Sequence, residues 1–171
     1  MTISLSSVAN VAIDQMFRGL DGVLVKAAAA AKAKGVEDEV YLNWRMAPDM
    51  LPLISQVRIA TEIPARALSR LAGAELPSLT DDETTFAELR ERISKAHAFI
   101  KDLPADGLDA DPDGQITFPV GPDREMTLPR RSYLQNFILP NLYFHVTATY
   151  IILRHLGVEL GKTDFLAVPQ T

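Results

Sequence analysis

Cysteine is absent from all 171 residues. Disulfides, thiolate metal centres and a cysteine nucleophile are thereby excluded. Basic charge is in short supply: 17 Lys and Arg face 22 Asp and Glu, for a net charge of −5. Nucleic-acid binding needs clustered cations against the phosphates, and the largest basic cluster is the pair Arg130-Arg131. No nucleic-acid partner is expected. No run approaches the roughly 20 apolar residues of a membrane span. The stretch Met1-Thr2-Ile3-Ser4-Leu5 lacks the basic flank and apolar core of a signal peptide. The expectation is a cytoplasmic protein with no membrane partner. A glycine-rich phosphate loop, a nucleophile elbow and a His-Glu-x-x-His metal motif are missing as well.

What is present is a globular composition, 47% hydrophobic with mixed charges, long enough for a single domain over 1–171 with a sizeable core. Four segments carry helical stripes. In the first, near 5–34, Ile13, Phe17, Leu20, Leu24, Ala27 and Ala31 recur in steps of four and three up to Gly35. Its alanine run favours helix and offers a surface for close helix approach. The second, near 49–72, is expected to open at Asp49 as N-cap, with Pro52 in the first turn and a kink near Ala60 caused by Pro64. The third, near 81–103, begins at Thr80-Asp81-Asp82-Glu83, read as a capping box. Its stripe is Phe86, Leu89, Ile93, Ala96, Ile100 and Leu103. The fourth runs near 131–157 and stops at Gly157. Before it, Ile116–Val120 and Glu125–Pro129 alternate around Gly121-Pro122-Asp123, the pattern of a short β-hairpin with prolines at its edges. The fold class is all-α, a four-helix bundle with a hairpin insertion.

Polar residues interrupt the core seams of this bundle. The fourth segment reads Leu134, Ile138, Asn141, His145, Ala148, Ile152, so two consecutive seam positions are polar. Four residues apart, Asn141 and His145 share one helix face. In the second segment Gln56 interrupts Leu53, Ala60, Ile63, Ala67. Buried polar groups cost about 1–3 kcal/mol each unless paired. Two accounts stand: a hydrogen-bonded cluster that fixes helix register, or a pocket for a small molecule or metal. Pro140 removes the backbone bond to the Asn136 carbonyl one turn before His145, or else marks the true helix start. The remaining candidates are weaker. His97 borders the third stripe, His155 suits the negative end of the fourth helix, Asp14 is a lone acid beside an apolar face, and Trp44 reads as a lid on the core.

The segments Leu42–Met50, Pro140-Asn141-Leu142-Tyr143-Phe144-His145-Val146-Thr147 and Gly161–Phe165 resemble a bacterial domain-of-unknown-function family in the DinB/YfiT-like superfamily of metalloenzymes. The resemblance covers nearly the whole chain. It implies an up-down-down-up four-helix bundle, commonly a homodimer. It also implies a divalent metal, zinc or nickel, held by three histidines: one about seven residues after the N-cap of helix two, and two as His-x-x-x-His on helix four. An Arg and a Gly follow nine and twelve residues later. Arg154 and Gly157 fix that register, so His145 matches the last histidine, Asn141 the one before it and Gln56 the one on helix two. Amides are poor ligands for zinc or nickel, so no tightly bound transition metal is expected and His145 is the one metal candidate. Three functions remain: a polar core pocket formed by Gln56, Asn141 and His145 that binds a small ligand, a metal-dependent hydrolase or thiol transferase, or a non-catalytic structural dimer.

Overall fold

The computed structural model describes residues 3–167. Helix α1 (Leu5–Lys34) starts where the Ser4 hydroxyl accepts the Ser7 N–H, and it ends at Gly35, whose φ of 63° is the left-handed cap that glycine adopts without strain. Every residue of its expected stripe is buried. Ala27 and Ala31 point into the bundle. Within the run, Ala28 and Ala30 are half-buried and Ala29 is exposed.

After a single turn, α2 (Asp38–Leu42), the chain crosses a loop to α3 (Leu53–Ala72). The expected start at Asp49 is corrected by the structure. Pro52, extended at ψ 166°, is the N-cap, and the Leu53 N–H is satisfied by the Trp44 carbonyl at 2.8 Å. Asp49 stays exposed in the preceding turn. The helix continues through Pro64.

Helix α4 (Phe86–Lys101) likewise begins later than expected. Its capping box is Thr85 with Glu88, each side chain bonded to the other's backbone N–H. The apparent box at Thr80–Glu83 fails because the Glu83 carboxylate is turned inward to two arginines. Arg92 Nη1 lies 2.8 Å from it, and Arg58 Nε is equally close. Arg92 also donates to Thr61 Oγ1 and the Thr80 carbonyl. The extended stretch before α4 is thus bolted to α3 and α4 by a buried ion network.

The short α5 (Ala105–Asp109) leads into β1 (Gln115–Pro119) and β2 (Glu125–Pro129), an antiparallel pair with Thr117 opposite Thr127. Alternation puts Phe118 on the core side, against the rings of Tyr133 and Phe137 at 4.1 and 4.7 Å, while the Thr117 and Thr127 hydroxyls pair on the outer side.

From Arg130 the chain is helical to His155, but not uniformly: α6 (Arg130–Tyr133), a π-helical turn (Leu134–Ile138), then α7 (Leu139–His155). The wide turn sits immediately before Pro140, whose nitrogen cannot donate, so the helix neither breaks there nor keeps one α register through it. A last short helix, α8 (Lys162–Phe165), lies on α1.

Four long elements form the bundle. Helix α1 packs against α4 and α7, and α3 packs against the same two. The α3–α7 seam is the one that carries Gln56 and His145. No helix among the described residues is long and apolar enough to cross a membrane.

Candidate functional site

Gln56 and His145 meet across the α3–α7 seam, their Oε1 and Nδ1 atoms 2.7 Å apart. Both are buried, Gln56 to 2% exposure and His145 to 9%. The Gln56 amide is not free to turn. Its Nε2 donates to the Leu51 carbonyl at 3.0 Å, in the loop before α3, which directs Oε1 at the imidazole. An amide oxygen can only accept, so His145 Nδ1 must carry the proton. Nε2 of the neutral ring keeps its lone pair, and the ring's one hydrogen bond among the described residues is through Nδ1. Burial pushes the imidazole pKa below its ordinary value of 6.5, which favours that neutral form.

Asn141 behaves differently. It is half-buried, and its Nδ2 donates to the Phe137 carbonyl at 2.7 Å, within its own helix. The carbonyl that takes a side-chain partner beside Pro140 is therefore that of Phe137, and the partner is Asn141 itself. Asn141 makes no hydrogen bond to Gln56 or His145, so the three residues do not form one bonded cluster. Helical spacing alone could not reveal this, because the acceptor is the carbonyl four residues back, a local partner open to an Asn side chain in any helix. The N-cap of α3 is Pro52, so Gln56 lies four residues after the cap and not seven. The pairing of Gln56 with His145 rests on their contact, not on that count.

A groove of about 370 Å³ runs along the outer side of α7; its lining includes Phe144, the ring that touches His145, but neither Gln56 nor His145 itself. Met46 and Met50 of the loop form one wall, and Pro140, Tyr143, Phe144 and Ile151 the other. The Phe144 ring meets the imidazole edge-on at 5.1 Å. No charged side chain lines the groove.

The other sequence candidates lie elsewhere. Asp14 is not a lone acid: it pairs with Arg18 at 3.2 Å, and His97 and Lys101 stand at 3.2 and 3.6 Å. His97 is half-buried, and burial lowers its pKa first, ahead of the neighbouring Lys101. His155 is exposed and meets the Trp44 ring at 5.8 Å. Trp44 is itself 41% exposed, so it covers His155 and not the core. The buried Glu83–Arg92 pair had no signal in the seam pattern, since each residue reads as an ordinary surface charge.

A family model described as Domain of unknown function (DUF1993) matches residues 5–166. The chain belongs to the DUF1993 family. A crystal structure of a DinB family member protein from Shewanella denitrificans is similar at 36% identity with a TM-score of 0.86, covering 98% of this chain and 94% of that one. The fold is DinB-like. No curated protein matches the chain.

The metal implied by the resemblance does not fit this DUF1993 chain. Gln56 has both its amide atoms engaged, and Asn141 has turned its nitrogen to Phe137. One imidazole lone pair remains. Among the described residues no group of three His, Cys, Asp or Glu could hold a metal ion. One nitrogen donor and two amides make a weak set for zinc or nickel.

Proposed function

We propose that the Gln56–His145 pair and the groove beside it bind a small, largely apolar molecule carrying one hydrogen-bond donor. The observation that carries this reading is the bonded chain from the Leu51 carbonyl through Gln56 to His145. It fixes one tautomer and reserves His145 Nε2 as an acceptor. Binding sites of this kind combine apolar walls with a few oriented polar groups, and Met46, Met50, Tyr143 and Phe144 supply the walls. Methionine suits such a wall because its unbranched thioether adapts to varied shapes.

The metal-dependent hydrolase reading has one free donor, His145 Nε2, while both amide atoms of Gln56 are engaged and Asn141 offers an amide. It is the weaker of the two.

Phenol, an apolar ring with one donor, is a direct probe. In ¹⁵N-resolved histidine spectra, His145 should show the neutral Nδ1–H tautomer, and added phenol should shift its Nε2 resonance. His145→Ala should remove the binding. An Nε2–H tautomer, or no shift up to the solubility of phenol, would overturn the reading. Stoichiometric zinc or nickel in untagged protein would favour the enzyme instead.

A further inference from the structure

Three side chains at the far end of α3 carry hydrogen-bond donors that the fold leaves unused. Arg70 stands in the last turn of α3, about 21 Å along the helix from Gln56. Arg130 and Tyr133 stand three residues apart in α6 and so share one side of it. The Arg130 side chain reaches across to α3. Its Nη2 donates to the Leu71 carbonyl at 2.7 Å, and to the Gly107 and Leu108 carbonyls of α5 at 2.7 and 3.3 Å. Its Nε is buried with no partner among the described residues. Tyr133 is 0% exposed, with Phe118 against its ring and Phe137 stacked on it at 5.5 Å. Its hydroxyl, too, is buried without a hydrogen-bond partner among the described residues. Burial raises the phenol pKa, and the neighbouring Arg70 guanidinium opposes that shift without closing a hydrogen bond to the oxygen. Arg70 is half-buried and forms no ion pair among the described residues, whereas Arg66, one turn before it, is engaged by Glu62 at 2.6 Å.

Buried polar atoms are almost always paired, so an orphan needs a cause. Two orphans within one turn, beside one unpaired guanidinium, call for a shared cause. Arg130 Nε and the Arg70 nitrogens can only donate, and with Arg70 facing its oxygen the Tyr133 hydroxyl is left to donate as well. A water molecule could accept two of these bonds but would leave the Arg70 charge unmet. An oxyanion accepts all three and supplies the missing negative charge. One charge is enough, because Arg130 already sits against the negative C-terminal end of α3.

We propose that Arg70, Arg130 and Tyr133 bind a single oxyanion, the carboxylate or phosphate group of a small molecule. Guanidinium suits both groups, since its planar fork matches their oxygens and charge-assisted bonds are the stronger kind. The two deeper donors are closed to solvent, so the anion meets the half-buried Arg70 first and reaches them as that flexible side chain turns with it. The net charge of −5 repels anions elsewhere, which makes binding depend on these particular donors. The site is separate from the Gln56–His145 pair, and its test does not involve that pair.

Inorganic phosphate and acetate are the probes, each titrated into the full chain at fixed ionic strength. At least one should shift the Arg70 and Arg130 Nε resonances together, saturably, and raise the Tm. Which anion saturates tells whether the site takes a phosphate or a carboxylate. Arg70→Gln should weaken binding about tenfold or more, the loss expected for a charged hydrogen bond. Tyr133→Phe, which removes only the hydroxyl, should weaken it several-fold with unchanged helical circular dichroism. Arg124→Gln, at an exposed arginine of the hairpin turn, should leave it unchanged. No saturable shift with either anion would overturn the proposal. So would binding that survives both Arg70→Gln and Tyr133→Phe, or an equal loss in Arg124→Gln, which would mean general screening of positive charge.

Discussion

Gln56 Oε1 accepts the Nδ1 proton of His145 at 2.7 Å, while Gln56 Nε2 is held by the Leu51 carbonyl. One amide therefore joins the loop before α3, the helix that bears it and the core of α7. Truncating His145 to alanine strands the Gln56 oxygen in a buried site, where an unpaired polar group costs about 1–3 kcal/mol. For a chain of this size that corresponds to a drop of roughly 2–10 °C in Tm. Differential scanning calorimetry of His145→Ala checks it. An unchanged Tm would mean that the pair contributes nothing to the fold.

The same burial sets a pH dependence. His97 and His145 both have folded pKa values below 6.5, so the unfolded chain binds their protons first as pH falls. Their contribution to stability is complete above about pH 6.5 and is lost as pH falls through the depressed folded values. Urea midpoints should fall between pH 7.5 and 5.5. The fall should be smaller in His145→Ala, which has lost one of the two groups. Gln56→Glu should act in the opposite sense. A carboxylate accepting from Nδ1 favours the imidazolium and raises the His145 pKa, so its contribution is present at low pH and fades as pH rises. Histidine chemical shifts against pH would show the direction in each variant.

Much of the bundle was legible because its helices obey one period. The stripe of α1 is buried as its spacing required, as is that of α4 from Phe86 to Ile100, while Leu103 lies past the helix end and is half-buried; the hairpin lies within one residue of where alternation placed it. Helices α3 and α4 both start later than their local caps suggest, and for the same physical reason. A favourable cap such as Asp49 or Thr80 offers local hydrogen bonds, but tertiary partners outbid it: the Trp44 carbonyl takes the first N–H of α3, and Arg58 and Arg92 draw Glu83 inward. The site was half legible. Seam polarity singled out Gln56 and His145, whereas Asn141 bonds to the carbonyl four residues back, a local choice that periodicity does not encode. The outer apolar face of α7 was written plainly as an uncharged run, but a search for one buried seam reads past it.

Glu83 offers a severe test of the network before α4. Its carboxylate is 8% exposed and serves both Arg58 and Arg92, and the Arg92 side chain is 3% exposed. Removing one partner of a buried ion pair leaves the other charge uncompensated, at a cost of about 3–5 kcal/mol. Glu83→Ala should show that loss in urea denaturation. Asp81→Ala, which removes an exposed carboxylate touching the same arginines, should cost less than about 1 kcal/mol. Equal effects would mean that exposure does not govern these pairs.

Two glycines of α1, three residues apart, should respond to alanine with opposite signs. At Gly22 an added Cβ meets nothing within 4 Å. Alanine there restricts the unfolded chain and suits the helix, so Gly22→Ala should stabilise by about 0.5–1 kcal/mol. At Gly19 an added Cβ would overlap the Phe165 carbonyl oxygen, a backbone atom that no side-chain rotation can clear. Helix α8 would have to lift from α1. That motion would strain the Lys26–Asp164 ion pair at 2.7 Å and the bond from Gln15 to the Leu166 carbonyl. Gly19→Ala should therefore lower the Tm and speed amide exchange in 162–167, while Gly22→Ala raises the Tm and leaves that segment unchanged. If Gly19→Ala proved as stabilising as Gly22→Ala, the close seating of α8 on α1 would be wrong.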